Sequence, residues 1–256
     1  MRYGVVSDVH GNLHALRAAL AALERTGVDR ILCAGDLVGY GPRPNECVEL
    51  IASLDPPALT VAGNHDLMAV GRLPSDGLGP LPRQTLEWTW GVLERETRGY
   101  LEVLPPTAAT EDGVALAHGS LADPTEYVLD CAAARAQLAR LAEHHDAARV
   151  LVLGHTHQPL ACAGEAAVPA QGEVKLHAER GPWLVNAGSV GQSRERRPLA
   201  RALVLDLGRG LAHFLAVEYD VAATKRELRA AGLPEHACHL APGRGARLRR
   251  LLAARG

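Results

Sequence analysis

Apolar and polar positions in the first sixty residues follow two alternating periods. A short apolar run over residues 2–7 is typical of a buried strand, and leucines at helical spacing follow Asn12, which is predicted to be the helix N-cap. Further apolar runs over 30–34 and 58–62 enclose a predicted helix over 44–54. Strand, helix, strand, helix and strand at this spacing predict a parallel sheet with crossover helices.

The pattern changes after residue 66. A loop rich in proline and glycine leads into a helix carrying Trp88 and Trp90, so residues 67–99 are predicted to be a helical insertion that overhangs the strand end it leaves. The two tryptophans either anchor this helix or stack on a nucleobase. Further elements are predicted as strands over 107–110, 114–117 and 149–153 and as a helix over 131–143.

The last hundred residues carry short apolar runs that predict a second, largely antiparallel sheet. These runs lie around Val174 and over residues 183–185, 201–207 and 212–217. Beyond residue 220 the pattern is helical and is broken by glycine and proline at 232–234 and 242–243. We therefore expect one domain over residues 1–220, including the insertion, and a helical C-terminal appendage over residues 221–256.

The composition mainly excludes classes of partner and location. The 256 residues are 47% hydrophobic but only 4% aromatic, which predicts an aliphatic core for a single layered domain. A net charge of −2 argues against a nucleic acid partner. The sequence shows neither a signal segment nor an apolar run long enough to span a bilayer, so we expect a soluble cytoplasmic protein with no membrane partner. The oligomeric state stays open.

The five cysteines give a separate expectation about redox state. Their number is odd and no two of them have CxxC spacing. This arrangement suggests neither a disulfide framework nor a zinc ribbon. We therefore expect reduced cysteines, in keeping with a cytoplasmic protein.

Side chains of metal-ligand type follow the ends of the apolar runs. Functional groups gather beyond the carboxyl ends of parallel strands, so we expect these side chains to lie together in the folded protein. Carboxylate, imidazole and amide donors suit manganese, iron or zinc better than calcium. A pair of divalent metals is suited to displacement at phosphorus. The seven candidate ligands are Asp8, His10, Asp36, Asn64, His118, His155 and His157.

The ordered motifs resemble a known family. The motifs are Asp8-x-His10, Gly35-Asp36, Gly63-Asn-His-Asp66, His118 and Gly154-His-Thr-His157. Together they resemble the calcineurin-like metallophosphoesterase superfamily, and the stretches over 7–12, 35–42 and 186–191 resemble its small bacterial and archaeal phosphodiesterase branch. The resemblance covers roughly residues 1–220. It implies an α/β fold, a four-layer α/β/β/α sandwich with the metals at the strand ends.

The resemblance also implies a role for each residue. A water or hydroxide between two metals would attack phosphorus, with Mn²⁺ expected and iron, zinc, nickel and cobalt as alternatives. His65 would act as a general acid on the leaving oxygen rather than as a ligand, and Asp66 would orient it. The implied ligands are Asp8, His10 and His157 for the first metal, Asn64, His118 and His155 for the second, and Asp36 as the bridge.

Substrate predictions are less specific. Arg43 and Arg194 are candidate phosphate contacts, with a solvated surface as the alternative for both. Residues 35–41 lack the Gly-Asp-x-x-Asp-Arg-Gly stretch of phosphoprotein phosphatases and their close dinucleoside tetraphosphatase relatives, which argues against phosphoprotein substrates. We expect a metal-dependent phosphoesterase that acts on a small phosphodiester or nucleotide. A dinucleoside polyphosphate hydrolase, a non-catalytic scaffold and a nucleic acid processing enzyme are the alternatives.

Overall fold

The computed structural model describes residues 1–144, 147–164, 166–168, 170–177 and 180–242. The second helical piece of the predicted appendage, with its arginines from Arg244 onward, lies outside these residues. None of the described helices is both long and apolar enough to cross a membrane. The helices are α1 (Leu13–Arg25), α2 (Pro44–Ala52), α3 (Asn64–Ala69), α4 (Pro80–Val92), α5 (Arg95–Glu102), α6 (Cys131–His144) and α7 (Val221–Ala230).

The strands form two six-stranded sheets. The first sheet has the order β3-β2-β1-β11-β12-β9 and the second has the order β4-β5-β6-β10-β7-β8. The strands are β1 (Arg2–Val6), β2 (Arg30–Cys33), β3 (Leu59–Thr60), β4 (Thr107–Ala109), β5 (Val114–Ala117), β6 (Val150–Leu153), β7 (Leu160–Ala163), β8 (Ala166–Val168), β9 (Gly172–Lys175), β10 (Trp183–Asn186), β11 (Ala200–Asp206) and β12 (Leu211–Val217).

The N-terminal part of the fold confirms the predicted parallel sheet. β1 pairs in parallel with β2, and β2 pairs in parallel with β3. The helix between the first two strands begins at the predicted cap, because the Asn12 side chain accepts a hydrogen bond from the backbone of Ala15 at 3.2 Å. Such a cap satisfies one of the backbone donors that a helix leaves open at its first turn.

The prediction that the late strands form their own antiparallel sheet is wrong. β9, β11 and β12 extend the first sheet, and β11 pairs antiparallel with β1, so that Arg2 lies opposite Asp206. β10 instead enters the second sheet between β6 and β7. Every residue of β11 except Arg201 is buried, which suits a central strand with both faces covered. The apolar runs predicted the strands correctly but carried no information about their partners.

The two sheets pack face to face between two helical layers. Side chains of both sheets fill the central layer, including Val5, Leu203, Val152 and Val185. On the outer face of the first sheet, α1 and α2 cover a second aliphatic cluster, and α6 covers the outer face of the second sheet. The predicted four-layer α/β/β/α sandwich is therefore confirmed.

Two helical additions pack on this sandwich. The insertion contributes Leu86 to the cluster beneath α1 and α2, and α5, which extends past residue 99, contributes Leu101. Trp88 packs against a small cluster shared with α7 and the residues after it, while the Trp90 indole N–H donates to the carbonyl of Met68 at 3.2 Å. Both tryptophans thus hold the inserted helix in place. On α7, the Thr224 hydroxyl donates to the Asn12 side chain at 3.2 Å.

The expectation of reduced cysteines without a bridge is also wrong. Cys131, at the start of α6, forms a disulfide with Cys162 in β7, and their Cα atoms are 5.6 Å apart. Cys33, Cys47 and Cys238 are free and buried. The bridged cysteines are 31 positions apart in sequence, and only the packing of α6 on the second sheet brings them within bonding reach. Cysteine spacing alone could not reveal that proximity.

Candidate metal centre

The predicted ligands come from strand ends of both sheets and meet at one edge of the sandwich. Asp8 and His10 follow β1, Asp36 follows β2, and His118 follows β5. Asn64 begins α3 just after β3, and the last two ligands follow β6. All seven predicted ligands, and His65 and Asp66 beside them, are less than a tenth exposed. The structure therefore gathers in one buried cluster the residues that the sequence spreads over 150 positions.

Backbone strain is concentrated at this cluster. Six residues other than glycine have a positive φ in the described part of the chain, and five of them are predicted ligands. A non-glycine residue in this region costs on the order of 1–3 kcal/mol and persists only where the surroundings enforce it. The residues are Asp8 (54°), His10 (49°), Asp36 (56°), Tyr40 (37°), His155 (63°) and His157 (58°).

Asp8, His10 and His157 form the first group of donors. One ligand atom from each lies within 4.8 Å of the others. The Nδ1–H of His10 donates to the Val38 carbonyl at 3.1 Å, and that of His157 donates to the Gln192 carbonyl at 2.9 Å. Because a carbonyl can only accept, both rings direct the lone pair of Nε2 inward, where the two Nε2 atoms are 3.1 Å apart.

Asp36, His118 and His155 form the second group of donors. His118 donates from Nδ1 to the Ala34 carbonyl at 2.6 Å, which leaves its Nε2 3.1 Å from the Asn64 side-chain oxygen and 3.2 Å from Asp36 Oδ2. His155 has the opposite tautomer, because its Nε2–H donates to the Thr125 carbonyl at 3.0 Å. Its Nδ1 is therefore the nitrogen available to the centre.

The donor set fits divalent metal ions. Asp8 Oδ2 is buried and has no hydrogen-bond partner, and Asp36 Oδ2 is buried 3.2 Å from His118 Nε2. Buried carboxylate oxygens are costly unless cations compensate them. Asp36 Oδ2 is also 3.7 Å from His10 Nε2, so this carboxylate lies between the two groups of donors. In metal-binding histidines, one ring nitrogen usually binds the metal while the N–H of the other donates to a backbone carbonyl, a carboxylate or water.

The surroundings raise the pKa of one candidate ligand histidine and lower the pKa of another. Burial alone would lower the pKa of His118, but the carboxylates of Asp36 and Asp8 outweigh it and raise that pKa to about 10. Burial lowers the pKa of His155 to about 4, and the charge of His118 adds to this effect. Burial also favours a raised pKa for Asp36, yet the neighbouring histidines hold it well below its usual range. His118 thus places one positive ring beside two buried carboxylates.

His65 lies beside both groups of donors. Its ring centroid is 5.0 Å from that of His10 and 4.8 Å from that of Tyr40, and its Nδ1 is buried without a partner. Burial lowers the pKa of His65. A Cβ on Gly39, which has a φ of 94°, would lie 2.6 Å from His65 Nδ1, so only glycine leaves room for this ring. His65 can also reach His10 and Asp36 as a third group of donors.

Asp66 binds backbone groups of the two loops that carry Asp36 and Asn64. Its Oδ2 accepts from the amides of Asp36 at 2.8 Å and Gly63 at 3.0 Å, and its Oδ1 accepts from Val38 at 3.1 Å. Burial and the Asp36 charge raise the pKa of Asp66 to about 7. These contacts show that Asp66 orders the Asp36 loop. They differ from the predicted contact between Asp66 and the His65 ring.

Sequence reasoning missed several residues that support the cluster. Tyr40 packs its ring 4.7 Å from that of His10, and burial raises its pKa to about 12 although the Arg194 charge opposes this. Gln192 orients His157 through its carbonyl, and its own side-chain amide donates to Ala237 of the appendage at 2.9 Å. The stretch over 35–42, which contains Tyr40, carried the family resemblance, whereas Gln192 lies one residue beyond the stretch over 186–191 and had no sequence signal.

The two predicted arginines lie in different surroundings. Arg43 forms ion pairs with Glu46 and Glu227 on α2 and α7, at 2.9 Å and 3.2 Å. Arg194 donates to the Gln192 side chain at 3.4 Å, and its Nε is buried without a hydrogen-bond partner. The structure therefore places Arg194 beside Gln192, whose carbonyl binds His157, and gives Arg43 carboxylate partners instead.

Comparison with known proteins agrees with this geometry. The profile of the calcineurin-like phosphoesterase superfamily domain matches residues 1–210. An uncharacterised protein of Methanocaldococcus jannaschii is 31% identical over 242 residues, covering 90% of this chain and 93% of its own. The crystal structure of a metallophosphoesterase from Sphaerobacter thermophilus has 36% sequence identity and a TM-score of 0.78, over 93% of this chain and 96% of that one.

A shorter match involves an enzyme of known activity. The symmetrical bis(5'-nucleosyl)-tetraphosphatase of Psychromonas ingrahamii is 41% identical over 64 residues, which is 25% of this chain and 23% of that protein. The assignment follows from two observations. Two groups of metal-ligand residues lie at the strand ends of a four-layer sandwich, and the superfamily profile matches residues 1–210. The chain belongs to the calcineurin-like phosphoesterase superfamily and is a metal-binding phosphoester hydrolase.

Proposed function

We propose that this protein hydrolyses a small phosphodiester or nucleotide with two divalent metal ions. The observation that carries the proposal is the pair of donor groups, Asp8 with His10 and His157, and Asp36 with His118 and His155. Asn64 completes the second group, and Asp36 lies between the two. Bound metals would supply Lewis acidity and an activated water for displacement at phosphorus. We expect Mn²⁺ from this donor set, with iron, zinc, nickel and cobalt as alternatives.

The chain's own residues have separate roles in this proposal. His65 is the candidate general acid, because its ring lies beside both donor groups. Proton transfer to the leaving oxygen by such a ring typically contributes about 10²–10⁴-fold to the rate. Arg194, which contacts Gln192 and has an unpartnered Nε, is the candidate phosphate contact through charge-assisted hydrogen bonds. Arg43 is a weaker candidate because two glutamates already pair with it.

The substrate class is supported by sequence and charge. The net charge of −2 does not favour long nucleic acids, and the phosphoprotein-phosphatase stretch is missing from residues 35–41. A dinucleoside polyphosphate is the second candidate, because the 64-residue match is to symmetrical bis(5'-nucleosyl)-tetraphosphatases. A cytoplasmic location is part of this proposal, and the Cys131–Cys162 disulfide is unusual for that compartment.

The test is a substrate panel with metal-stripped and reconstituted protein. Phosphomonoesters, phosphodiesters, cyclic nucleotides, a dinucleoside tetraphosphate and a phosphopeptide are assayed with Mn²⁺ and with each alternative metal. We expect metal-dependent turnover of small diesters or nucleotides, its loss in Asp36→Ala, and its retention in His236→Ala, which changes an exposed histidine of the appendage. Turnover of the phosphopeptide alone would overturn the substrate class. Inertness to the whole panel with every metal would favour the scaffold.

A further inference from the structure

The segment between β5 and α6 presents an aromatic ring beside a candidate metal ligand. The Tyr127 ring centroid is 4.1 Å from that of His155, with the two planes inclined at 44°. Tyr127 and Leu129 are 50% and 57% exposed, whereas Val128 between them is buried in the cluster beneath α6. Val128 thus anchors the segment in the core, and the residues on either side of it are exposed.

Hydrogen bonds order the part of the segment just before Tyr127. The Ser120 hydroxyl accepts from the backbone of Asp123 at 2.9 Å, and Asp123 Oδ1 accepts from the backbone and the hydroxyl of Thr125, both at 2.7 Å. The Thr125 carbonyl in turn accepts the Nε2–H of His155 at 3.0 Å. Cys131, bonded to Cys162, follows the segment directly. A preorganised aromatic ring of this kind binds a partner with little ordering cost.

Tyr127 is the aromatic residue best placed to meet a ligand at the centre. Trp88 is packed against the appendage and Trp90 is hydrogen-bonded to the Met68 carbonyl. Tyr40 also packs on a candidate ligand histidine, but it is only 7% exposed and has no free face. Tyr127 combines a ring contact to His155 with a half-exposed surface, and Leu129 extends that surface with an apolar side chain.

We propose that Tyr127 is the specificity residue on which the base of a nucleotide substrate stacks while its phosphate lies at the metal centre. The phenol ring offers a π-face that any base can use, and Leu129 contacts the outer edge of the base. Such a platform distinguishes nucleotides from sugar phosphates by affinity and leaves the choice of base open. The inference rests on the proposed function, because it assumes that the phosphate binds at the metals.

The test compares two ligands that differ only in the base. Binding of adenosine 5'-monophosphate and of ribose 5-phosphate to the Mn²⁺-loaded full chain is measured by calorimetry, which requires no turnover. Tyr127→Leu should weaken the nucleotide about 5- to 150-fold and leave the sugar phosphate unchanged. Tyr127→Phe should bind both ligands as the wild type does, because the ring is kept. Val103→Ala, at a 78% exposed valine, is the matched surface control.

Three results would overturn the inference. The first is equal affinity of the wild type for the two ligands, and the second is an unchanged nucleotide affinity in Tyr127→Leu. The third is an equal loss for both ligands, which would make Tyr127 a support for His155 instead. The substrate panel tests the proposed function separately. A wild type that turns over no phosphoester but shows the base-dependent affinity keeps Tyr127 as a nucleotide-binding residue.

Discussion

Replacing Asp66 tests whether its single carboxylate orders the loop that carries Asp36. Asp66 is fully buried and accepts hydrogen bonds from three backbone amides, those of Asp36, Val38 and Gly63. Each buried donor left without a partner costs about 1–3 kcal/mol. Three such groups set an upper bound of about 9 kcal/mol for Asp66→Ala, and water entering the space lowers it. We expect about 3–5 kcal/mol, a large part of the stability of a typical domain.

Asp66→Asn provides the graded comparison. Its amide oxygen can take the place of Oδ2 and keep the bonds from Asp36 and Gly63, but its NH₂ group then faces the amide of Val38. The variant loses the hydrogen bond from the Val38 amide and places two N–H donors against each other, so we expect about 1–3 kcal/mol of destabilisation. Asp76→Ala, at an exposed aspartate of the insertion, should stay within about 0.5 kcal/mol of the wild type.

The assay is urea unfolding of metal-free protein, followed by circular dichroism, with metal content measured after reconstitution. The expected order of stability is wild type, Asp66→Asn, then Asp66→Ala, with metal loss largest in the last. Equal destabilisation by the two variants would mean that the negative charge of Asp66 contributes more to stability than the number of hydrogen bonds its side chain accepts. A loss below about 1 kcal/mol in Asp66→Ala would refute the hydrogen-bond reasoning altogether.

Four further predictions concern the metals, the acid, the pH and the disulfide. Asp36→Ala should lose metal from both positions, and full occupancy by elemental analysis would contradict the bridging role. His65→Ala should keep its metals and lose about 10²–10⁴-fold in turnover, less for esters with a good leaving group; equal losses would make His65 a phosphate contact. Since the metal-free pKa of His118 is about 10, metal binding at pH 7 should release a proton and the affinity should fall as the pH is lowered; calorimetry showing no proton release would contradict this. Cys131→Ser removes a cross-link over 31 positions and should cost about 2–4 kcal/mol in oxidised protein, whereas unfolding unaffected by reductant in the wild type would refute the bridge.

Local patterns in the sequence predicted what local physics determines. The elements from β1 to β3, the Asn12 cap and the strand-end positions of the metal donors all follow from periodicity and from the direction of parallel strands. The strand over 114–117 was predicted with the bounds that the structure has, Val114–Ala117. These features depend on residues close to one another in the chain, which is why a single sequence reveals them.

Features that depend on distant partners could not be predicted. The pairing of β11 with β1 joins residues about two hundred positions apart, and no apolar run encodes that choice. The bond between Cys131 and Cys162 depends on how α6 packs, and the contact of Tyr40 with His65 depends on the turn at Gly39. Gln192 acts through its backbone carbonyl, which any residue type possesses, so its side chain gave no signal.

The central position of β11 has a consequence for how the protein is made. While the chain emerges from the ribosome, β1, β2 and β3 are complete within the first sixty residues, but the neighbour that covers the open edge of β1 comes only at Ala200–Asp206. Until then β1 presents unpaired backbone groups, which are a template for pairing with other chains. The candidate metal ligands His155 and His157 are also synthesised late. Truncated or stalled chains should therefore aggregate along β1 without acquiring metal, and a supplied segment containing β11 should rescue them.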